Sequence, residues 1–364
     1  MSWQFPLKFR DVEDVQNWLI GFEHSLLPTM WASTPNWVAL KEEQHIEIRL
    51  PFVSRDIELT LTQWIADQRQ CGVISEETRV DVMTNVEALK PGNDQLVVPG
   101  VKNLIAVSSG KGGVGKSTMS VNLALALQHL GAKVGLLDGD IYGPSVPLML
   151  GSQDKRPVTV NGKQMKPITA HGLATQSIGY LVDAEKATVW RGPMAAKALQ
   201  QILRETFWPD LDYLVVDLPP GTGDIQLTLA QQLPVNGAVV VTTPQDLALA
   251  DAIKGVAMFE KVDVAVLGVI ENMSYHICSE CGHHDAIFGE GGAEKLAKQY
   301  QLSVLAQVPL AMTIREDLDK GTPTVVRDPQ DPHSQRFIEL AEQVASRLYW
   351  QSEAIPATLS VAKV

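Results

Sequence analysis

The sequence predicts an α/β protein: a doubly wound, mostly parallel sheet preceded by a small α/β domain. Three observations predict it. From Val101 onward the runs NLIAVSS, KVGLLD, YLVVDLP, GAVVVTT, VAVLGVI and SVLAQVP alternate with helical stretches. They are short, continuous and rich in β-branched residues, as strands covered by helices on both faces are. A glycine-rich turn joins the first run to the helical stretch MSVNLALALQHL, which is where such sheets hold phosphate. Residues 1 to about 90 differ in texture, with alternating rather than continuous apolar positions.

In that first region Ile46, Ile48 and Leu50 alternate with Glu47 and Arg49, the pattern of a half-buried strand. Ser54 is placed to cap a helix carrying Ile57, Leu61, Trp64 and Ile65 at helical spacing. Val80 and Val82 alternate again and predict a second strand. The stretch LKPGNDQLVVPG (89–100) is rich in Pro, Gly and Asn and reads as a connection. The expected organisation is therefore a small α/β domain over 1–90, a linker over 91–100, a nucleotide-binding domain over 101–349 and a tail over 350–364.

Composition narrows the classes of function. The chain has 364 residues, 45% hydrophobic and 20% charged, with a formal net charge of -12. That charge argues against non-specific binding to nucleic acid or to anionic lipid. The start, MSWQFPLKFRDVEDVQNW, lacks the basic-then-apolar pattern of a signal peptide, and the apolar runs fall short of the roughly 18 residues of a membrane span. The tail SEAIPATLSVAKV is short and interrupted by proline, a poor amphipathic anchor. Three cysteines do not make a disulfide framework. The expectation is a cytoplasmic protein with reduced thiols and neither nucleic-acid nor membrane partners.

The turn reads Gly110-Lys111-Gly112-Gly113-Val114-Gly115-Lys116-Ser117-Thr118. It fits G-x-x-x-x-G-K-[ST] between a strand and a helix, the phosphate-binding P-loop. Small residues let successive backbone N–H groups face phosphate oxygens, and the helix N-terminus adds a favourable field. Lys116 would reach the β- and γ-phosphates of ATP, and the Ser117 hydroxyl would ligate Mg²⁺. Gly110, Gly112 and Gly115 also match the dinucleotide fingerprint G-x-G-x-x-G, with Asp138 at a suitable distance. Lys116-Ser117 decides between them, because a dinucleotide turn has no use for a lysine facing the pyrophosphate.

Three carboxylates are candidates for the chemistry. KVGLLD ends in Asp138-Gly139-Asp140, and the strand YLVVD ends in Asp217. Ligands of doubly wound sheets bind at the carboxyl ends of the strands, so all three can converge on the phosphates. An apolar strand ending in Asp217 is the Walker B pattern, and the following PPGTGD suits a loop that senses the γ-phosphate. For Asp138 or Asp140 a turn-capping role is the alternative.

Lys111, directly after the first glycine, narrows the class. GKGGVGKST resembles the deviant Walker A ATPases, which include MinD, ParA and the nitrogenase iron protein. The resemblance implies an ATP-dependent homodimer in which Lys111 reaches the partner's nucleotide, with Asp140 organising the attacking water. Such a lysine would act like an arginine finger; a solvated surface lysine is the alternative. DGDIYGPSVPLMLG, VWRGPM, DLPPGTGDIQLTLAQ, TTPQDLAL and ENMSYHICSECG extend the resemblance to the Mrp-type (ApbC-type) iron–sulfur cluster carriers over essentially all of 101–350. By the same analogy Asn272 and the segment Val308-Pro309-Leu310 would contact the adenine.

Cys278-Ser279-Glu280-Cys281 follows an apolar strand and precedes Gly282-His283-His284. Thiolates three apart on a turn can face one metal, and cysteine selects zinc or iron–sulfur centres. One such pair supplies two ligands, whereas a [4Fe–4S] cluster usually takes four, and a twofold dimer would supply the rest. The residues also allow a Cys₂His₂ zinc site, a redox dithiol or buried thiols with no metal. The resemblance favours the bridging cluster. Cys71 reads as structural.

The function these features imply is an ATP-hydrolysing homodimer that binds an iron–sulfur cluster and hands it to apo iron–sulfur proteins, together with cluster assembly factors. A positioning ATPase of the MinD or ParA type is the alternative, but it wants a basic surface or amphipathic tail. An electron-transfer role like that of the nitrogenase iron protein fits the close cysteine spacing poorly.

Overall fold

The computed structural model describes residues 6–42, 44–93, 95–160, 162–182 and 192–355. The N-terminal unit opens with α1 (Val12–Leu19), whose first turn is capped by the Asp11 carboxylate accepting from Asp14 N–H. β1 (Val38–Glu42) pairs antiparallel with β2 (His45–Leu50), and β2 pairs in parallel with β3 (Arg79–Thr84). α2 (Arg55–Gln70) is the crossover between the parallel strands. It starts where the sequence predicts, with the Ser54 hydroxyl accepting from Ile57 N–H and Ile57, Leu61 and Ile65 buried. Neither α1 nor β1 is among the predicted elements. Each presents only a few apolar positions within a charged stretch, and each gains its burial from neighbours distant in sequence.

The second unit contains β4 (Val101–Ser109), α3 (Lys116–His129), β5 (Val134–Asp138) and α4 (Val146–Met149). A small ladder of β6 (Thr159–Val160) and β7 (Gln164–Met165) follows, then β8 (Ile168–Ala170), β9 (Leu173–Ser177) and α5 (Gly192–Glu205). The chain continues through β10 (Leu211–Asp217), α6 (Asp224–Gln232), β11 (Gly237–Thr242), α7 (Asp246–Glu260) and β12 (Val266–Asn272). A hairpin of β13 (His276–Ile277) and β14 (His284–Asp285) leads to α8 (Gly292–Tyr300) and β15 (Val304–Val308). Three helices close the unit: α9 (Met312–Asp319), α10 (Thr324–Arg327) and α11 (Pro332–Trp350).

The main sheet runs β15-β12-β11-β4-β10-β5-β9-β8. All six apolar runs singled out in the sequence are strands of it, and every neighbouring pair is parallel except β8 against β9. The edge strand β8 and its neighbour β9 escape sequence reading because ITA and LATQS are short and half polar. From β4 the chain crosses to β5, returns to β10 between them, then moves to β11 on the far side of β4. This reversal leaves a crevice at the carboxyl ends of β4, β10 and β5.

α3 is buried almost all round from Met119 to Leu127, because the sheet covers one side and α11 the other. A helix apolar on all faces is a core helix. One apolar core runs from α3 and α11 into the N-terminal unit, and a second lies on the other sheet face beneath α5 to α8. Trp37 packs on Tyr349 and Trp350 and donates its Nε1–H to the Tyr349 hydroxyl at 3.1 Å. The stretch 89–100 is pinned as well: Gly92 N–H donates to Val235 O, and the Asn93 amide donates to the Ala230 and Leu233 carbonyls. Among the described residues no helix is long and apolar enough to cross a membrane. Residues 189–191 of VWRGPM and the tail beyond Ile355 lie outside the described residues.

Candidate functional site

The loop between β4 and α3 wraps a cavity of about 220 Å³ lined by Lys111, Gly112, Gly113, Gly115, Lys116, Ser117 and Thr118, with Asp140 and Pro220 opposite. Two glycines are demanded by the surroundings. A Cβ at Gly110 would fall 2.2 Å from the Asp251 carbonyl carbon of α7. Gly115 has φ +83°, and its Cβ would lie 2.1 Å from Asn272 Nδ2. The loop is thus held close to its neighbours as it lines the cavity, and a loop of small residues ahead of a helix suits phosphate oxygens.

At the base of the cavity the registers place Asp217 beside Asp138, at the ends of β10 and β5. Lys116 and Asp217 are 5% and 0% exposed, with Lys116 Nζ 2.6 Å from Asp217 Oδ1. Ser117 Oγ donates to Asp217 Oδ2 at 2.5 Å, and Ser120 Oγ donates to Oδ1 at 2.7 Å. Sequence reasoning missed Ser120; its only signal is lying one helical turn after Lys116 on the same face. Asp138 accepts from Asp140 N–H, Val146 N–H and the Ser177 hydroxyl. Burial pushes its carboxyl up to about 7, the neighbouring Asp217 charge adds to this, and Lys116 opposes it. Ser177 was invisible in the sequence because β9 was.

Asp140 sits at the cavity wall. Burial raises its pKa, the Lys116 charge opposes that, and Asp217 adds to it. Its Oδ1 is buried without a hydrogen-bond partner. Ser117, Asp140 and Asp217 are all hard oxygen donors, and one or two such groups plus phosphate oxygens are the usual protein share of a Mg²⁺ site. The residues therefore fit that ion. Lys111 is half-buried at the cavity mouth, with Nζ 3.4 Å from Gln245 Oε1 at the start of α7.

Asn272 and Pro309 end up side by side at the ends of β12 and β15, since Asn272 pairs with Val308. Both are buried. The Asn272 amide donates to Val114 O at 2.8 Å, so it supports the phosphate loop itself, a contact the sequence does not reveal.

Beyond Asn272 the backbone is tied to the segment after β15: Ser274 N–H donates to Val308 O and Leu310 N–H to Tyr275 O. Cys278 and Cys281 then lie at the tip of the β13–β14 hairpin, where Cys278 N–H donates to His283 O and Gly282 N–H to Cys278 O. Cys281 is exposed and Cys278 half-buried, so the alternative of two buried thiols is not what the fold builds. Backbone N–H groups of Cys281 and Glu280, with the Cys281 thiol, hold the Cys278 thiol below its ordinary range. The turn therefore does for the thiolate what a helix N-terminus does elsewhere. His283 pairs with Asp285, and His284 stacks on Tyr275 with ring centroids 5.3 Å apart. Among the described residues no three His, Cys, Asp or Glu side chains converge as metal donors; the single-chain Cys₂His₂ arrangement is not formed. Cys71 is exposed at the C-cap of α2.

Comparison with known proteins agrees with this geometry. The profile of the NUBPL iron-transfer P-loop NTPases, within the ParA group, matches residues 100–345. The chain is 59% identical over 314 residues to an iron–sulfur cluster carrier protein of Haemophilus influenzae, covering 86% of this chain and 85% of that one. It is 55% identical over 351 residues to the iron–sulfur cluster carrier protein of Escherichia coli K12, covering 94% of each. Among solved structures, a nucleotide-binding protein of Archaeoglobus fulgidus in complex with ADP superposes with TM-score 0.57 at 36% identity, over 66% of this chain and 93% of that one. The cell division ATPase MinD of Pyrococcus furiosus gives TM-score 0.50 at 26% identity, over 66% and 98%. With two thirds of its length matched by that profile and its cradle built as described, the chain belongs to the NUBPL-type iron-transfer P-loop NTPases.

Proposed function

We propose that the protein is an ATP-hydrolysing homodimer that carries a [4Fe–4S] cluster between its two subunits and delivers it to apo iron–sulfur proteins. The observation that carries this reading is the exposed hairpin tip. It presents Cys278 and Cys281 as two thiols with no third metal donor converging on them among the described residues. A half-site of this kind is completed by its copy across a twofold axis, giving four thiolates. Held by short strands at the surface, the cargo stays accessible to a recipient. The relatives named as cluster carriers, at 55–59% identity, favour this over a positioning role like that of MinD at 26%.

At the other site the glycine-rich loop binds the phosphates of ATP, and Lys116, already turned toward the cavity floor, neutralises charge on the β- and γ-phosphates. Mg²⁺, held by Ser117 with Asp217 behind it, would add charge neutralisation there. Asp140, with its unpaired and partly desolvated Oδ1, orients the attacking water. Lys111 at the cavity mouth extends to the nucleotide of the partner subunit and stabilises the transferring phosphoryl group. Asn272 and Pro309 border the base. Dimer closure over ATP then brings the two hairpins together, and hydrolysis to ADP and phosphate separates them.

Anaerobic reconstitution with iron and sulfide, read by UV–visible and Mössbauer spectra, tests this. The expected result is about four iron atoms per dimer, lost in the Cys278→Ser/Cys281→Ser variant. Iron retained by that variant would sink the proposal.

A further inference from the structure

The Glu271 carboxylate is 1% exposed at the end of β12, and among the described residues none of its hydrogen-bond partners is a cation. Burying a carboxylate that way is costly unless its oxygens are well satisfied. Its donors reveal what it secures. Oε2 accepts from Ser274 Oγ at 2.5 Å and from Gln307 Nε2 at 3.3 Å, while Oε1 accepts from Ala293 N–H at 2.8 Å. Ser274 lies where the chain leaves β12 for the cysteine hairpin. Ala293 lies in the first turn of α8, where the chain returns. One carboxylate therefore grips both feet of the excursion that carries Cys278 and Cys281.

The next residue grips the other site. Successive side chains on a strand point to opposite faces, and the Asn272 amide, opposite Glu271, donates to Val114 O at 2.8 Å and crowds Gly115. A displacement of the phosphate loop must move Asn272 or break its bond. Glu271 shares that backbone, so the displacement reaches both feet of the hairpin at once.

Resting on the carrier reading above, we infer that Glu271 is the positioning residue that couples the phosphate loop to the cysteine hairpin. It touches neither phosphate nor thiol. It converts a shift of β12 into a reorientation of the thiols, and by thermodynamic reciprocity an altered hairpin changes nucleotide affinity by the same factor.

The test is hydrogen exchange of the full-length protein over 274–293, with and without the magnesium complex of the non-hydrolysable analogue AMPPNP. In the native chain the analogue changes exchange of the hairpin amides by about fivefold or more, the usual size of a coupling. In Glu271→Ala that ratio falls to one while the analogue still binds. A merely structural role would raise exchange equally in both states and leave the ratio unchanged. Glu271→Gln keeps an acceptor for Ala293 N–H and restores most of the response. Ser274→Ala frees only the departing foot and gives an intermediate ratio, and it decides the matter should Glu271→Ala fail to fold. A hairpin indifferent to AMPPNP in the native chain overturns the inference, as does a native ratio in Glu271→Ala or in Ser274→Ala. Iron counts after reconstitution run alongside. Coupling lost with iron retained supports the inference, whereas iron retained by Cys278→Ser/Cys281→Ser defeats the carrier reading instead.

Discussion

The phosphate loop and the cysteine hairpin flank the same strand end, yet they are built in opposite ways. The loop closes over groups with almost no exposure, and its floor is a web of Lys116, Ser117, Ser120 and Asp217. The hairpin consists of two strands of two residues each, held by a few backbone bonds and the stacking of His284 on Tyr275. A site that acts on charge in the same way at every turnover profits from a fixed, water-poor floor. A site that must open to a recipient is drawn from the weakly held end of the molecule. On the proposed function, rigidity is placed where chemistry occurs, and looseness where cargo is exchanged.

The contrast is broken most forcefully at Lys116. Lys116→Ala should lower phosphate release by about 10²–10³-fold. It should also cost about 3–5 kcal/mol of stability, because the Asp217 charge is left buried without its cation. Phosphate-release assays and urea unfolding read the two effects, and a variant that keeps both shows that the floor is not one electrostatic unit.

A second effect comes from pH. The Asp138 carboxyl is pushed up from 3.8 to about 7 in the folded chain, so the native state holds a proton that the unfolded chain releases. Its stabilising contribution is full below about pH 4 and lost as pH rises through about 7, an effect of a few kcal/mol. The slope of unfolding free energy against pH over that window should shrink in Asp138→Asn. An equal slope in both proteins would remove Asp138 as its cause.

Gly115→Ala sharpens the comparison at the shared strand. With φ +83° and a Cβ directed at Asn272, it should cost about 1–3 kcal/mol. Pairing it with Asn272→Ala should recover the steric part, so a double-mutant cycle with no coupling would refute the contact. The smallest effect is expected at the hairpin. His284→Ala removes the stack on Tyr275 and should cost under about 1 kcal/mol, visible as faster exchange over 276–285 with an unchanged melting temperature. A fall in the global transition would mean that the hairpin is part of the core after all.

Much of this was readable in advance. The six parallel strands announce themselves because a strand covered on both faces is apolar throughout, and the P-loop because only small residues and a lysine serve at those positions. Asp217 was recognisable for the same reason: it ends an apolar strand. Glu271 is equally buried and also follows an apolar run, but it belongs to no recognised phosphate-binding motif, and its partners Gln307 and Ala293 are set only by the fold. Ser120 carries only its spacing of one helical turn from Lys116, and Ser177 carries no signal until β9 is placed against the carboxylate it serves. The hairpin thiols were legible as a pair, while their exposure and the amide cradle around Cys278 were not.

By itself the sequence determined six parallel strands of the nucleotide-binding unit, the helix after the phosphate loop, that loop with its lysines, and the cysteine pair. These depend on periodicity, glycine and near neighbours, all encoded within a few residues. Only the tertiary structure decided which carboxylate meets which hydroxyl and how the N-terminal unit merges with α11 through Trp37 and Tyr349. It alone showed that Glu271 and Asn272 stand back to back between the two sites. Such contacts join residues 101 positions apart, as Lys116 and Asp217 are, or 312 apart, as Trp37 and Tyr349 are. They follow from strand order, and strand order is chosen by the packing of the whole core.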